Sequence, residues 1–388
     1  MHSNFKIKFF TFLIFLIFLN LLFISCKNKL LNKNQNKNNF KWSLYLANSV
    51  ISNYDSLIKI NRSWNYETVL LGTSIDKLGF FDSKYSKYFE DYITFFVSKE
   101  DNEFLNAIDN YKKIAAAKSL LILYKRTGNE KYLLLVKKFL KKIDISSKKS
   151  LITNKPYSDI AETENIVIAP LLAQYAKEFN ESEWFDIIAF YISYIYEKNY
   201  DSKSGLLIDA CYKKNTEEYD YKDTHNTKAI KCKPIGIFLM SVIDMLEYFP
   251  ENHPKYQDII KIVNNTCESL LKIYNENKHM WNVIIDNQTN KNNIPDFSCS
   301  AMIIYSFIKG AKNKYIPDKY LSVGNHAFNS LTKKFFEYDK HGYPIIKFST
   351  STNYDINTNQ RSSKKTKNIY FDANSLAFII LSAIELNK

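Results

Sequence analysis

Asp159, Glu162 and Glu164 sit close together at the head of the stretch KPYSDIAETENIVIAPLLAQYA, Lys155–Ala176. The stretch opens as a turn at Asn154-Lys155-Pro156-Tyr157 and becomes apolar towards Tyr175-Ala176. Carboxyl groups in the first turns of a helix suit two kinds of work. They cap free backbone N–H groups and complement the helix dipole. Facing a cleft, they donate and accept protons at a bond being changed. Glu164 and Glu162 are the candidate catalytic acids. Trp64, Tyr66, Asp159, Asp209, Lys233, Trp281 and Asp296 are candidate substrate-binding residues, with Glu67, Lys112, Lys113 and Asp372 as possible neighbours. Aromatic rings stack on the apolar faces of sugars and carboxylates move protons at glycosidic centres, so this set suits an oligosaccharide. No CxxC or Cys/His ligand spacing occurs, so no zinc site and no cofactor are expected.

The elements that must position these residues are helices. Gly and Pro number eight each, and apolar residues recur at helical spacing through most of the chain. Period and stop signals predict twelve helices. They run Phe40–Ile60, Asn65–Leu78, Ser83–Ser98, Ile108–Arg126, Glu130–Ile143 and Ala161–Phe179. They continue as Ser182–Glu197, Pro234–Tyr248, Pro254–Tyr274, Phe297–Ala311, Pro317–Phe336 and Phe371–Leu386. Even-numbered helices are the more apolar, as in IVIAPLLAQYA and IGIFLMSVIDML. Odd-numbered ones carry charge on one face, as in EKYLLLVKKFLKKI. Six hairpins with six inner and six outer helices make an all-α fold, an (α/α)6 barrel. No 34- to 45-residue repeat points to a solenoid instead.

Three connections carry a polar turn and a short β-like run: Asp201–Asp209, His279–Asp286 and Tyr338–Ile346. Each follows an outer helix and precedes an inner one. Inner helices all start at one end of such a barrel, so these loops and the candidate residues gather at one mouth, where a rigid scaffold commonly carries its site. Ser349–Lys367 is polar and reads as a surface loop.

The chain has 388 residues and a formal net charge of +13. A basic surface suits anionic partners, acidic polysaccharide among them. The lysines are scattered and not interleaved with aromatics, so no nucleic acid partner is expected. Lys6 and Lys8 precede the apolar run Phe9–Ile24 and then Ser25-Cys26, a signal-peptide layout too short for a standard membrane span. Residues 1–26 are assigned as signal, 27–39 as a Lys/Asn-rich tether and 40–388 as the catalytic-type domain. Four further cysteines, Cys211, Cys232, Cys267 and Cys299, permit disulfides in an exported chain without demanding them.

Leu22-Phe23-Ile24-Ser25-Cys26 resembles a bacterial lipobox, which implies lipid attachment at Cys26 and a bacterial cell-envelope protein anchored to the membrane. A second resemblance spans about residues 40 to 388. Trp64-Asn65-Tyr66-Glu67 is similar to the WxYE opening of the unsaturated rhamnogalacturonyl and glucuronyl hydrolases, glycoside hydrolase families 105 and 88. Leu123–Tyr132 resembles their LYxxTGxxKY hairpin, and Pro170–Ala176 the PFLAxYA end of their catalytic helix. Gly205-Leu206 resembles the start of their GLxxH loop, and Leu246–Pro250 with His253-Pro254 their LxxxPxxHP turn. Phe297–Met302 with Lys309-Gly310 resembles their SxSAM…KG helix.

The resemblance implies an (α/α)6 barrel and a substrate left by a polysaccharide lyase, an oligosaccharide ending in a 4,5-unsaturated uronic acid. An aspartic acid protonates the alkene, water adds at the neighbouring carbon, and the unstable product opens and releases the sugar. Here the family aspartate falls on Thr163, flanked by Glu162 and Glu164. The loop histidine falls on Asp209, and the paired aspartates before the fourth helix fall near Lys112 and Lys113. The RGxGW segment has become Lys233-Pro234-Ile235-Gly236-Ile237. The expectation is a divergent hydrolase with its acid moved to Glu164 or Glu162. The alternative is a catalytically inactive, carbohydrate-binding barrel.

Overall fold

The computed structural model describes residues 39–52, 64–98, 111–143, 163–208, 230–285, 294–334, 336–338, 344–346, 354–355, 360–361 and 373–388. Helix α1 covers 39–52. It is followed by α2 (Tyr66–Asp76), α3 (Ser83–Val97), α4 (Tyr111–Ala115), α5 (Lys118–Thr127) and α6 (Glu130–Leu140). A 3-10 segment, Thr163–Ile168, leads into α7 (Ala169–Phe179). Then come α8 (Glu183–Asn199), α9 (Cys232–Leu246), α10 (Tyr256–Lys272), α11 (Phe297–Lys312), α12 (Lys319–Lys334) and α13 (Ala373–Asn387).

The inner ring closes on itself. α2 packs on α4 and α5, α4 on the 3-10 segment, and that segment with α7 on α9. α9 packs on α11, α11 on α13, and α13 returns to α2. The outer helices lie on their hairpin partners: α3 on α2, α6 on α5, α8 on α7, α10 on α9 and α12 on α11. The expected (α/α)6 barrel is therefore the architecture.

Burial explains the division of labour. Every residue from Phe297 to Ala311 of α11 is buried, as is every residue from Asn374 to Leu386 of α13. By contrast α10 buries one stripe, including Tyr256, Ile259, Val263, Thr266 and Leu270, and leaves the other face wet. Cys232 and Cys299 form a disulfide between the first turns of α9 and α11. Gly236, one turn further on, lets the two helices approach, since a Cβ there would lie 3.1 Å from Cys299 Sγ.

Two helices differ from expectation. The rod predicted for Ile108–Arg126 is broken between α4 and α5, where the Ala117 N–H bonds the Ile114 carbonyl as a tighter turn. The helix predicted from Ala161 runs as 3-10 from Thr163 before turning α-helical at Ala169. Pro170 accounts for the change: it has no N–H to bond back along the chain, and the first turn of an α-helix is where that loss is harmless.

The β-like loops are present. β1 (Tyr200–Asp201) pairs antiparallel with β2 (Leu206–Leu207), with Gly205 at φ 72° in the turn. β3 (Phe336–Tyr338) pairs with β4 (Pro344–Ile346), and β5 (Tyr354–Asp355) with β6 (Gln360–Arg361). The Met280–Ile285 stretch is stitched to the segments that lead into α9 and α11, with Cys232 N–H bonding Val283 O and Asp296 N–H bonding Trp281 O.

Candidate active site

Three inner elements begin beside one another and bring charge together. Glu67 is the second residue of α2, Lys112 the second of α4 and Glu164 the second of the 3-10 segment. The Lys112 ammonium lies 2.7 Å from Glu164 Oε2 and 3.8 Å from Glu67 Oε1. Side-chain exposures of 28–32% leave all three reachable from solvent. Burial on its own pulls the Lys112 pKa down, but the Glu164 carboxylate beside it and Glu67 outweigh burial and hold it above the usual lysine value. Asn65 fixes the start of α2 by accepting the N–H groups of Glu67 and Thr68 on its side-chain oxygen.

Thr163, onto which the sequence resemblance puts the family aspartate, is fully buried. Its hydroxyl oxygen meets no hydrogen-bond partner among the described residues. One residue later, Glu164 turns back to solvent and to α4. A step of one residue in a 3-10 segment rotates the side chain by about 120°. The acid at the next position is therefore aimed elsewhere and is held in an ion pair.

The other candidates separate by environment. Trp64 and Trp281 are not rings of the mouth wall, which corrects the expectation that they stack on substrate. Trp64 is 4% exposed, donates its indole N–H to Lys113 O at 2.8 Å and packs against Phe96 and Phe139. Trp281 is fully buried, donates its indole N–H to Leu270 O and packs edge-on against Phe307. Each indole buries its faces and satisfies its N–H, as core tryptophans do.

Asp296 caps α11, accepting the Cys299 N–H at 2.9 Å. Lys233, in the first turn of α9, is half-buried and has no ion-pair partner among the described residues. Tyr66 lines a cavity of about 240 Å³ inside the ring. Burial first, then the charges of Asp244 and Glu67, raise its phenol pKa. Glu162, Asp159, Asp209, Asp372 and Cys26 lie outside the described residues.

The structure adds a charged group that the sequence reading passed over. Lys309 of α11 lies 2.7 Å from Asp244 Oδ1 and 2.8 Å from Glu247 Oε2, and the Tyr305 hydroxyl donates to Asp244 at 2.6 Å. Burial opposes the Asp244 charge, yet Lys309 and Lys118 outweigh it and hold the carboxyl down to about 2. A signal was present: Asp244 and Lys309 are charges set within two of the most apolar helices of the chain, where isolated charges are rare unless paired or functional.

No group of three or more His, Cys, Asp or Glu side chains is arranged to hold a metal among the described residues. The arrangement at the heads of these inner elements is instead an ammonium between two carboxylates. Such a group can clasp an anionic sugar, and can move a proton when the ion pair rearranges.

Comparison with known proteins agrees with this architecture. A family model described as Glycosyl Hydrolase Family 88 matches residues 45–387. A Clostridium acetobutylicum glycoside hydrolase from family 105 superposes with a TM-score of 0.74 at 24% identity, covering 89% of this chain and 98% of that one. A family 88 glycosyl hydrolase from Bacteroides vulgatus gives 0.67 at 12% identity, covering 89% and 98%. An unsaturated glucuronyl hydrolase specific for heparin gives 0.63 at 13% identity, covering 92% and 97%. With the closed helical ring and the match across nearly its whole described length, the chain belongs to glycosyl hydrolase family 88.

Proposed function

We propose that this protein hydrates the terminal unsaturated uronic acid of oligosaccharides left by a polysaccharide lyase. The observation that carries the reading is the solvent-reachable Glu67–Lys112–Glu164 cluster at the heads of three inner elements. A uronate carboxylate entering there competes with Glu164 for the Lys112 ammonium. Once Lys112 pairs with the substrate, its ion pair with Glu164 opens and frees that carboxyl to face the ring. As the general acid, Glu164 donates a proton to the alkene carbon C4, and water adds its hydroxyl at C5 as the released proton returns to a carboxylate. The hydrated ring opens and frees the neighbouring sugar. Glu162 is the alternative donor.

A second reading rests on Thr163. A buried hydroxyl at the position that the resemblance gives to the family acid fits a barrel that binds the same sugar without turning it over. Unsaturated uronyl disaccharides separate the readings, with loss of alkene absorbance as the readout. The enzyme reading expects turnover that falls at least about 100-fold in Glu164→Gln, the ordinary contribution of a general acid. It also expects a raised KM in Lys112→Met. Unchanged rates in both Glu164→Gln and Glu162→Gln reject the acid assignments. Measurable binding without turnover of any lyase product establishes the binding protein instead.

The location we propose is the bacterial cell envelope, with a lipid anchor at Cys26. The Lys6–Cys26 layout supports it, and so does the Cys232–Cys299 disulfide, a bond favoured in oxidising compartments. Metabolic labelling with a fatty acid, lost in Cys26→Ala, tests the anchor.

A further inference from the structure

The end of the barrel opposite the Glu67–Lys112–Glu164 cluster carries a pair of exposed aromatic side chains. α2 runs from Tyr66, beside Glu67, to Asp76, and the turn that follows it, 77–82, displays Phe80 and Phe81. They are 72% and 58% exposed, and Phe80 is the most exposed large apolar side chain among the described residues. Phe40, near the start of α1, stands beside both, with ring centres 6.1 Å and 6.0 Å away.

The rings are held away from the core. The Gly79 N–H bonds Asp76 O, and the N–H groups of Phe81 and Asp82 both bond Leu78 O, which closes the turn. Gly79 lies so tightly on Ser86 of α3 that a Cβ there would fall 1.9 Å from the Ser86 hydroxyl oxygen. Asp82 then caps α3 by accepting the Lys84 N–H. A turn pinned at both ends keeps Phe80 and Phe81 outward, where water is a poor partner for an apolar ring.

We infer that this end of the barrel rests on an anionic lipid bilayer, with Phe80 and Phe81 in its headgroup region and the Glu67–Lys112–Glu164 end turned away. The inference rests on the lipid anchor proposed at Cys26. Thirteen residues lead from Cys26 to Asn39, where α1 begins beside the Phe80–Phe81 turn. A segment of that length reaches at most about 45 Å when fully extended, so the anchor keeps this end close to the lipid. Phenylalanine rings bury in the boundary between headgroups and acyl chains, as on the apolar face of a helix lying in a membrane surface.

Charge points to the same partner. Lys27, Lys29, Lys33, Lys37 and Lys41 follow Cys26, and no Asp or Glu occurs in the sequence before Asp55. Lys77 is exposed beside the turn. The acids there are engaged: Asp76 pairs with Arg126, and Asp82 with Lys84. Lysines close to a membrane surface are drawn to acidic headgroups. A barrel seated this way leaves its other end open to the medium that supplies an oligosaccharide.

Tryptophan quenching by vesicles with brominated acyl chains tests the orientation, on the chain as purified from cells. Phe80→Trp reports the turn. Tyr338→Trp reports the other end, where Tyr338 is 60% exposed in the strand after α12. In vesicles of phosphatidylglycerol and phosphatidylethanolamine, the emission added by Phe80→Trp should fall at least about twofold, and that added by Tyr338→Trp should stay unchanged. High salt, or neutral phosphatidylcholine in place of the anionic lipid, should weaken the quenching. The native chain gives a second readout. Anionic vesicles should shield Lys77 and Lys84 from an amine-acylating reagent and leave Lys333 and Lys334 labelled, read by peptide mass spectrometry. Quenching of neither reporter, or of both alike, overturns the orientation, as does shielding of Lys77 and Lys84 by self-association without vesicles. The mass of the chain keeps the anchor and the surface apart. A chain without lipid refutes the Cys26 anchor, and vesicles added to it judge the surface by the same quenching. A lipidated chain with no quenching of Phe80→Trp keeps the anchor and loses the surface.

Discussion

At the scale of single residues, Thr163 and Glu164 show how one step along the chain changes chemistry. Thr163 buries a hydroxyl that has no partner among the described residues, and such a group costs about 1–3 kcal/mol of desolvation. Thr163→Val keeps the shape and removes the orphaned oxygen. The expected outcome is a gain of up to about 1 kcal/mol in urea unfolding, with any turnover of uronyl disaccharide unchanged. A drop in turnover would give Thr163 a role beyond packing. The N-terminal caps also act at this scale. Asn65, Asp82 and Asn129 precede helices in sequence and accept N–H groups from their first turns. Asp296 belongs with them: its position invited a substrate role, and its hydrogen bond assigns it to the start of α11.

Among the elements, the join between α9 and α11 is the most constrained. The disulfide closes a loop of 67 residues at the same level as the close approach of Gly236. Chain-entropy arguments put the loss on opening such a loop at about 4 kcal/mol. Cys299→Ala should therefore lower the urea midpoint by a comparable free energy, and a reducing agent should do the same to the native chain and nothing further to the variant. Helix boundaries came through closely where a cap or stop residue marks them. Gly128, for example, ends α5 in the left-handed conformation at φ 69°. The break between α4 and α5 was hidden, because an Ala-rich run favours helix on its own and only packing interrupts it.

For the whole molecule, the interior ion group couples stability to acid. The Asp244 pKa is lower in the folded state, so its contribution is present above the unfolded value and lost as pH falls through the folded one. Between about pH 4 and pH 2 the fold should lose about 2 kcal/mol from this residue. Asp244→Asn should flatten that part of the stability curve while lowering stability at pH 7, because Lys309 then keeps Glu247 as its remaining carboxylate. Chemical denaturation across that pH range is the measurement. Glu247 acts in the same direction, its carboxyl also lowered by Lys309 against the effect of burial.

Sequence by itself determined the helical hairpins, their order and which of each pair faces inward, because the width of an apolar stripe reports how much of a helix is dry. It also placed Glu67, Lys112 and Glu164 at the heads of consecutive inner elements, since hairpins must return each inner helix to the same end. Tertiary structure decided what those side chains do. The indoles of Trp64 and Trp281 looked alike as sugar platforms in the sequence, and only their neighbours show that they are core. Lys118 and Lys309 are both lysines of inner helices. One is enclosed by two carboxylates and the other faces an open cavity, a difference made by residues from other helices that no local pattern can report.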